Sequence, residues 1–266
     1  MSRSITSSLT ELQSSGKKAL IPYLTCGYPS SDDFIEYAAL LEATGADMLE
    51  IGFPHSDPMA DGPTIKYTSH QALSNGMNGE KMFSAIEKVA SRTSIPLIAM
   101  SYINTIMKPG IESFVGRCKD AGITGIIIPD LTLEEKNRVV GAFRKSGIQT
   151  IFLVAPTTSS ERIKQIASAS SGFLYLVSVT GITGARRVLP KETELFISRA
   201  RALSPIPVCV GFGISNGRIA RRMSRASDGV IVGSALLDCI RYATGKRNAR
   251  RDLSSLMTDL RKGLDL

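Results

Sequence analysis

The sequence is poor in the residues that build metal centres and disulfide frameworks. It has only two histidines, His55 and His70. That argues against any His-built metal site and against most Ser–His or Cys–His nucleophile schemes. Its four cysteines, Cys26, Cys118, Cys209 and Cys239, are widely spaced and form no C-x-x-C pair. They read as buried, reduced thiols of a cytoplasmic protein. No apolar run approaches the ~18 residues of a membrane span, so no membrane association is expected. Residues 1–10 lack the apolar centre of a signal peptide. Leu9 and Leu12 are spaced for one face and Gly16 is a plausible stop, so a short capped helix is expected there. No Pro/Gly/Ser-rich linker divides the chain, and residues 1–266 read as a single domain.

What is present is a core-forming composition: 266 residues, 43% hydrophobic and 21% charged. That is enough apolar mass for a large core without staples. The formal net charge of +8 admits an anionic partner without requiring one. The basic run at 241–251, with Arg221, Arg222 and Arg225, reads as a solvated helix face. No aromatic interleaving accompanies it, so nucleic acid is not an expected partner.

Short runs rich in Ile, Val and Leu recur at 19–25, 47–53, 96–102, 125–130, 149–154, 173–179, 207–212 and 229–232. Near-continuous apolar strands imply burial on both faces, as parallel sheets require. Helical spacing lies between them. Phe34, Tyr37, Ala38 and Leu41 form one stripe after Asp32 or Asp33 as cap; Ile163, Ile166 and Ala167 form another after Ser159-Ser-Glu161. Eight strands alternating with helices predict an α/β protein, a (β/α)8 TIM barrel with an extra N-terminal helix. A doubly wound open sheet is the alternative. The longest interval, between the second and third runs, holds the Pro- and Gly-rich segment 54–63, which is not helix interior. A long loop after a barrel strand belongs to the face that carries the chemistry.

Three features point to that chemistry. Gly211-Phe-Gly-Ile-Ser215 and Val232-Gly-Ser-Ala235 each follow a late strand and lead into a helix. Glycine turns and helix N-termini cradle phosphate at this place in such barrels; the alternative is two tight turns that need glycine only for φ > 0. Glu50 interrupts an apolar strand on the face of Met48 and Gly52, and Asp61 follows in the loop. Two carboxylates in different environments divide acid and base roles. Glu50 otherwise reads as a buried structural carboxylate, and Asp61, or more readily Asp57, as a turn cap. The segment 178–187 carries Gly181, Gly184, Thr180 and Thr183, as a lid over a substrate or an ordinary surface loop would. No lysine lies near the C-terminal end of any expected strand, which disfavours a Schiff base. What remains is acid–base chemistry without a metal on a phosphorylated small molecule.

The segment Leu49-Glu-Ile-Gly-Phe-Pro-His-Ser-Asp-Pro-Met-Ala-Asp-Gly-Pro-Thr-Ile65 resembles the signature of the tryptophan synthase alpha-subunit family. So do Pro22-Tyr-Leu-Thr-Cys-Gly-Tyr-Pro29, Pro129-Asp-Leu131, Ala155-Pro-Thr-Thr158, Tyr175 with the loop from Thr180 to Gly184, and Gly211 to Ser215. The resemblance implies a barrel that cleaves indole-3-glycerol phosphate to indole and glyceraldehyde 3-phosphate, with no cofactor in this subunit. It assigns the general acid–base role to Glu50 and the indole N–H contact to Asp61, oriented by Thr183. It gives Gly184, Gly213, Gly233 and Ser234 to the phosphate. Tyr23, Met100, Ile127, Leu153, Tyr175 and Phe212 would line the indole pocket. It also implies a beta-subunit partner carrying pyridoxal phosphate, in an α2β2 assembly. The partner would face the 54–63 loop, the regions of Asn104 and Asp130, and the lid.

Three positions depart from the family pattern. His55 stands where Phe is usual. Ser101-Tyr-Ile-Asn-Thr105 lacks the common Tyr-Asn-Pro. Gly184-Ala-Arg-Arg187 replaces Gly-Ala-Glu-Asn. Two roles therefore stay open: a working lyase subunit, or a subunit that mainly binds and activates the beta partner with weak or lost lyase activity. Intact Glu50 and Asp61 favour the first.

Overall fold

The computed structural model describes residues 4–177 and 191–266. Helix α1 (Ile5–Ser14) precedes strand β1 (Ala19–Thr25). Then come α2 (Ser31–Ala43), β2 (Leu49–Gly52), α3 (Pro63–Ser74), α4 (Gly79–Ala90), β3 (Leu97–Met100), α5 (Ile103–Met107), α6 (Ile111–Asp120) and β4 (Ile123–Ile127). Next are α7 (Lys136–Lys145), β5 (Gln149–Ile151), β6 (Leu153–Val154), α8 (Ser160–Ala169) and β7 (Leu174–Leu176). The chain finishes with α9 (Lys191–Leu203), β8 (Val208–Val210), α10 (Gly217–Ser224), β9 (Gly229–Val232), α11 (Ser234–Arg241) and α12 (Lys246–Leu264).

Every strand pairing is parallel, in the order β5-β4-β3-β2-β1-β9-β8-β7-β6. The two end strands, β5 and β6, are consecutive in sequence and separated only by Phe152. The sheet is thus a nearly closed TIM barrel, not an open doubly wound sheet. All eight expected strand positions are present, and the one at 149–154 is broken in two. There the Phe152 N–H donates to the Ser170 hydroxyl at 3.3 Å instead of to a neighbouring strand.

Alternate residues fill the barrel interior. Ala19, Ile21, Met48, Ile98, Ile127, Ile151, Phe173, Tyr175, Cys209 and Ile231 pack with Ile5 and Leu9 of α1. The N-terminal helix is therefore the floor of the barrel. Gly125 makes room for it, since a Cβ there would collide with the Ile5 side chain. Burying Ile5 and Leu9 contributes about 1.5–3 kcal/mol each. Ser4 caps α1, accepting from the Ser7 N–H at 3.1 Å, and Gly16 follows its end at φ +68°.

The odd residues of β2 and β3 face the helices. In α2 the expected stripe of Phe34, Tyr37, Ala38 and Leu41 is buried. Its cap is Ser30, not Asp32 or Asp33: the Ser30 hydroxyl accepts from the Asp33 N–H at 3.1 Å. In α8, Ser159 caps and Ile163, Ile166 and Ala167 are buried, as expected. The interval after β2 holds, besides its loop, two helices that the sequence reading leaves unresolved. Pro63 occupies the first turn of α3, where a missing N–H costs nothing. Helices α10 and α12 meet through Gly217 and Gly263; a Cβ on Gly263 would collide with the Gly217 carbonyl. Cys26, Cys118 and Cys209 are buried free thiols and Cys239 is half-buried. No helix among the described residues is long and apolar enough to cross a membrane.

Candidate active site

Strand β2 carries Glu50 into the barrel. Its register partners are Tyr23 on β1 and Ile98 on β3, and it is only 1% exposed. The Tyr175 hydroxyl bonds its carboxyl, while Oε2 has no hydrogen-bond partner. An unpaired carboxylate charge is costly in such a place. Burial first, and the neighbouring charge of Asp61 second, push the Glu50 carboxyl up from 4.5 to about 8; the Tyr175 bond pulls the other way. Glu50 therefore holds its proton at neutral pH.

Asp61 reaches the same mouth from the loop between β2 and α3. The Tyr102 hydroxyl donates to its Oδ2 at 3.0 Å and accepts from the Ala60 N–H at 3.0 Å. One side chain thus pins the loop and orients the carboxylate. The His55 ring packs on Tyr102 with centroids 4.8 Å apart. Burial pushes Asp61 up from 3.8 to about 6, opposed by the Tyr102 bond and by the charges of Lys66 and His55. At pH 7 Asp61 is mostly ionised beside a protonated Glu50, a division of acid and anion within one cavity. Asp57, by contrast, lies exposed on the same loop.

Two tyrosines flank Glu50 because two glycines admit them. A Cβ on Gly52 would collide with the Tyr23 hydroxyl, and one on Gly211 with the Tyr175 ring and hydroxyl. Met100, Ile127, Leu153 and Tyr175 pack in the barrel interior. Phe212 is half-buried and packs against the outer cluster of strand and helix side chains.

The two glycine turns differ. After β8, Gly213 has φ +67°. Two N–H groups of the α10 N-terminus beyond it have side-chain acceptors: Asp259 accepts from the Gly217 N–H at 2.7 Å, and Asn216 from the Ile219 N–H at 3.0 Å. After β9, Gly233 is the N-cap of α11 and no side chain caps that helix. A Cβ on Gly233 would lie 3.6 Å from the Tyr23 side chain, so this uncapped terminus stands beside the mouth. Ser234 opens α11 there. The expected lid at 178–187, with Thr183 and Gly184, lies outside the described residues.

Tyr102, Lys66 and His55 were not among the site residues expected from sequence. For Tyr102 the available signal was its place directly after β3, at the active end of a barrel strand.

A family model described as tryptophan synthase alpha chain matches residues 9–264. The tryptophan synthase alpha chain of Thermoanaerobacter sp. (strain X514) is 40% identical over 253 residues, covering 95% of this chain and 96% of that one. That of Methanocaldococcus jannaschii is 44% identical over 231 residues, covering 86% and 82%. A solved structure of Mycobacterium tuberculosis tryptophan synthase matches with a TM-score of 0.91 at 32% identity, over 100% of both chains. Barrel, paired acids and these likenesses agree: the chain belongs to the tryptophan synthase alpha chain family.

Proposed function

We propose that this enzyme subunit cleaves indole-3-glycerol phosphate to indole and glyceraldehyde 3-phosphate. The observation that carries the reading is the pair formed by Glu50 and Asp61, one protonated and one ionised at neutral pH, at one apolar-walled mouth. The reaction needs both. The Glu50 carboxyl gives its proton to indole C3, while the Asp61 carboxylate accepts a hydrogen bond from the indole N–H and stabilises the positive charge that develops there. The bond from C3 to the glycerol carbon then breaks, its electron pair returning to the ring. The hydroxyl on that carbon becomes the aldehyde and returns a proton to Glu50, which ends as it began. The proton balance closes without a cofactor in this chain.

The remaining assignments follow the shape of the mouth. Tyr23, Met100, Ile127, Leu153 and Tyr175 offer flat apolar walls to the indole ring, with Phe212 at the rim. Gly233 and Ser234 at the uncapped start of α11, with Gly213 across from them, suit the phosphate; backbone N–H groups and the helix dipole favour a dianion there. Thr183 and Gly184 are assigned to Asp61 and the phosphate by resemblance.

The partner is a tryptophan synthase beta subunit holding pyridoxal phosphate, in a cytoplasmic α2β2 assembly that receives the indole. Exposed Met59, on the loop after β2, and Met107, at the end of α5, support a docked protein there. Assaying indole release from indole-3-glycerol phosphate, with and without the beta subunit, tests the reading. Release above background, stimulated by the partner, is expected. No release, with serine-to-tryptophan turnover of the partner still stimulated, would leave this chain an activator only.

A further inference from the structure

The loop that brings Asp61 back over the mouth keeps one shape only where its N–H groups find partners. Here they turn inward. The Asp57 N–H donates to His55 Nδ1 at 3.1 Å. The Ala60 N–H donates to the Tyr102 hydroxyl at 3.0 Å. The Asp61 N–H donates to the Pro58 carbonyl at 3.1 Å. Two of these acceptors, the imidazole and the phenol, also touch each other. Their ring centroids are 4.8 Å apart and their planes tilted by 37°, within the range of packed aromatic pairs. The phenol donates in turn to Asp61 Oδ2 at 3.0 Å. Tyr102 is buried and His55 half-buried, so the imidazole is the outer ring of the pair.

The main chain beside Tyr102 is fixed separately: the Ile103 N–H donates to Asp130 Oδ1 at 2.9 Å. What that leaves open is the direction of the phenol, which turns on two side-chain torsions and is held by what packs against its ring. A ring nitrogen that accepts a hydrogen bond carries no proton. The imidazole bonded to Asp57 is thus neutral, with its proton on Nε2, and its hold on Asp61 is one of position. Its charge reaches Asp61 only in the doubly protonated form, which lacks the Asp57 bond.

We propose that His55 is a positioning residue of the lyase site: its ring holds the Tyr102 phenol against the Asp61 carboxylate, and its Nδ1 closes the turn that starts the loop. A phenol O–H donated to a carboxylate stabilises the anion, and it is the Asp61 anion that the indole N–H needs. The two parts of the side chain have separate tasks, the ring acting on Asp61 through Tyr102 and the nitrogen acting on the backbone at Asp57. Phe, the usual residue of the family here, supplies the ring without the acceptor. Asn supplies an acceptor on the same Cγ without the ring. The titratable groups around the pair are Asp57 and Asp61 on the same loop, Glu50 on β2, Lys66 on α3 and Asp130 after β4. The inference deepens the lyase reading and rests on it for its catalytic meaning.

The test follows the Asp61 midpoint in the full chain by carboxyl-carbon NMR, assigned against Asp61→Asn, alongside the acid limb of indole release with the beta subunit. Solvent exchange of the Asp57 amide is measured on the same samples. His55→Asn and His55→Ala remove the ring, and both should raise the midpoint and the acid limb by about one pH unit. His55→Phe should leave the midpoint in place while Asp57 exchange speeds up roughly two- to tenfold. His55→Asn should keep the Asp57 amide protected. In a Tyr102→Phe background His55→Asn should move the midpoint no further, since the ring acts through the phenol. A merely structural role would lower stability in all three variants and leave every midpoint in place, which would overturn the proposal. A midpoint raised as far by His55→Phe as by His55→Asn would also overturn it, because charge and not the ring would then be the cause. The expected midpoints in a chain that releases no indole would sink the lyase reading and leave the positioning inference standing.

Discussion

A carboxyl that keeps its proton through folding makes stability depend on pH in one direction. Unfolded, Glu50 ionises near its ordinary 4.5; folded, it does so near 8. Between those values the folded chain holds a proton that the unfolded chain has released. The contribution is fully present below about 4.5 and is lost as pH rises toward about 8. Each pH unit in that window costs about 1.4 kcal/mol, so at pH 7 ionisable Glu50 costs the fold about 3 kcal/mol. Glu50→Gln removes that cost, and its amide still pairs with Tyr175. The variant should match the wild type near pH 4.5 and exceed it by roughly 1–3 kcal/mol at pH 7, after allowing for imperfect amide partners. Urea unfolding of both proteins at several pH values measures the difference directly. Asp61 is present in both and largely cancels. A difference independent of pH, or a variant less stable than wild type at pH 8, would refute the burial argument for Glu50.

Turnover should follow a bell in pH, with an acid limb near 6 as Asp61 ionises and a basic limb near 8 as Glu50 loses its proton. A flat profile across that range would count against the assignment. Tyr102→Phe removes the donor that holds Asp61 down, so the acid limb should move to higher pH and turnover at pH 7 should fall; an unmoved limb would show that the bond does not reach the reaction. Gly263→Ala drives a Cβ into the Gly217 carbonyl and should cost about 1–3 kcal/mol in unfolding experiments, as overpacking does. A neutral result would mean that α10 and α12 slide apart freely. Asp259→Ala frees the Gly217 N–H of α10 and should lower thermal stability without changing the substrate KM, because Gly217 is not among the residues assigned to the phosphate.

The barrel was legible because parallel strands buried on both faces leave continuous apolar runs, and the runs at 19–25 and 229–232 match β1 and β9 residue for residue. Other runs extend past their strands because loop residues such as Phe53 and Tyr102 are buried too. Glu50 was legible as an acid in an apolar strand. What depended on distant partners was not. Asp259 caps α10 from 42 residues away, and Tyr102 meets Asp61 across 41. Neither spacing leaves a local pattern. Ser30 displaced Asp32 and Asp33 as the α2 cap because its hydroxyl reaches the Asp33 N–H at 3.1 Å. The role of α1 as barrel floor required knowing that Gly125 leaves space beneath it.

The most direct test is single-turnover cleavage of indole-3-glycerol phosphate by Glu50→Gln in the assembled complex at pH 7. The chemical step should slow by about 10² to 10⁴-fold, with substrate affinity little changed, since the ring and phosphate contacts remain. Cleavage at a near-normal rate would show that another group supplies the proton to indole C3.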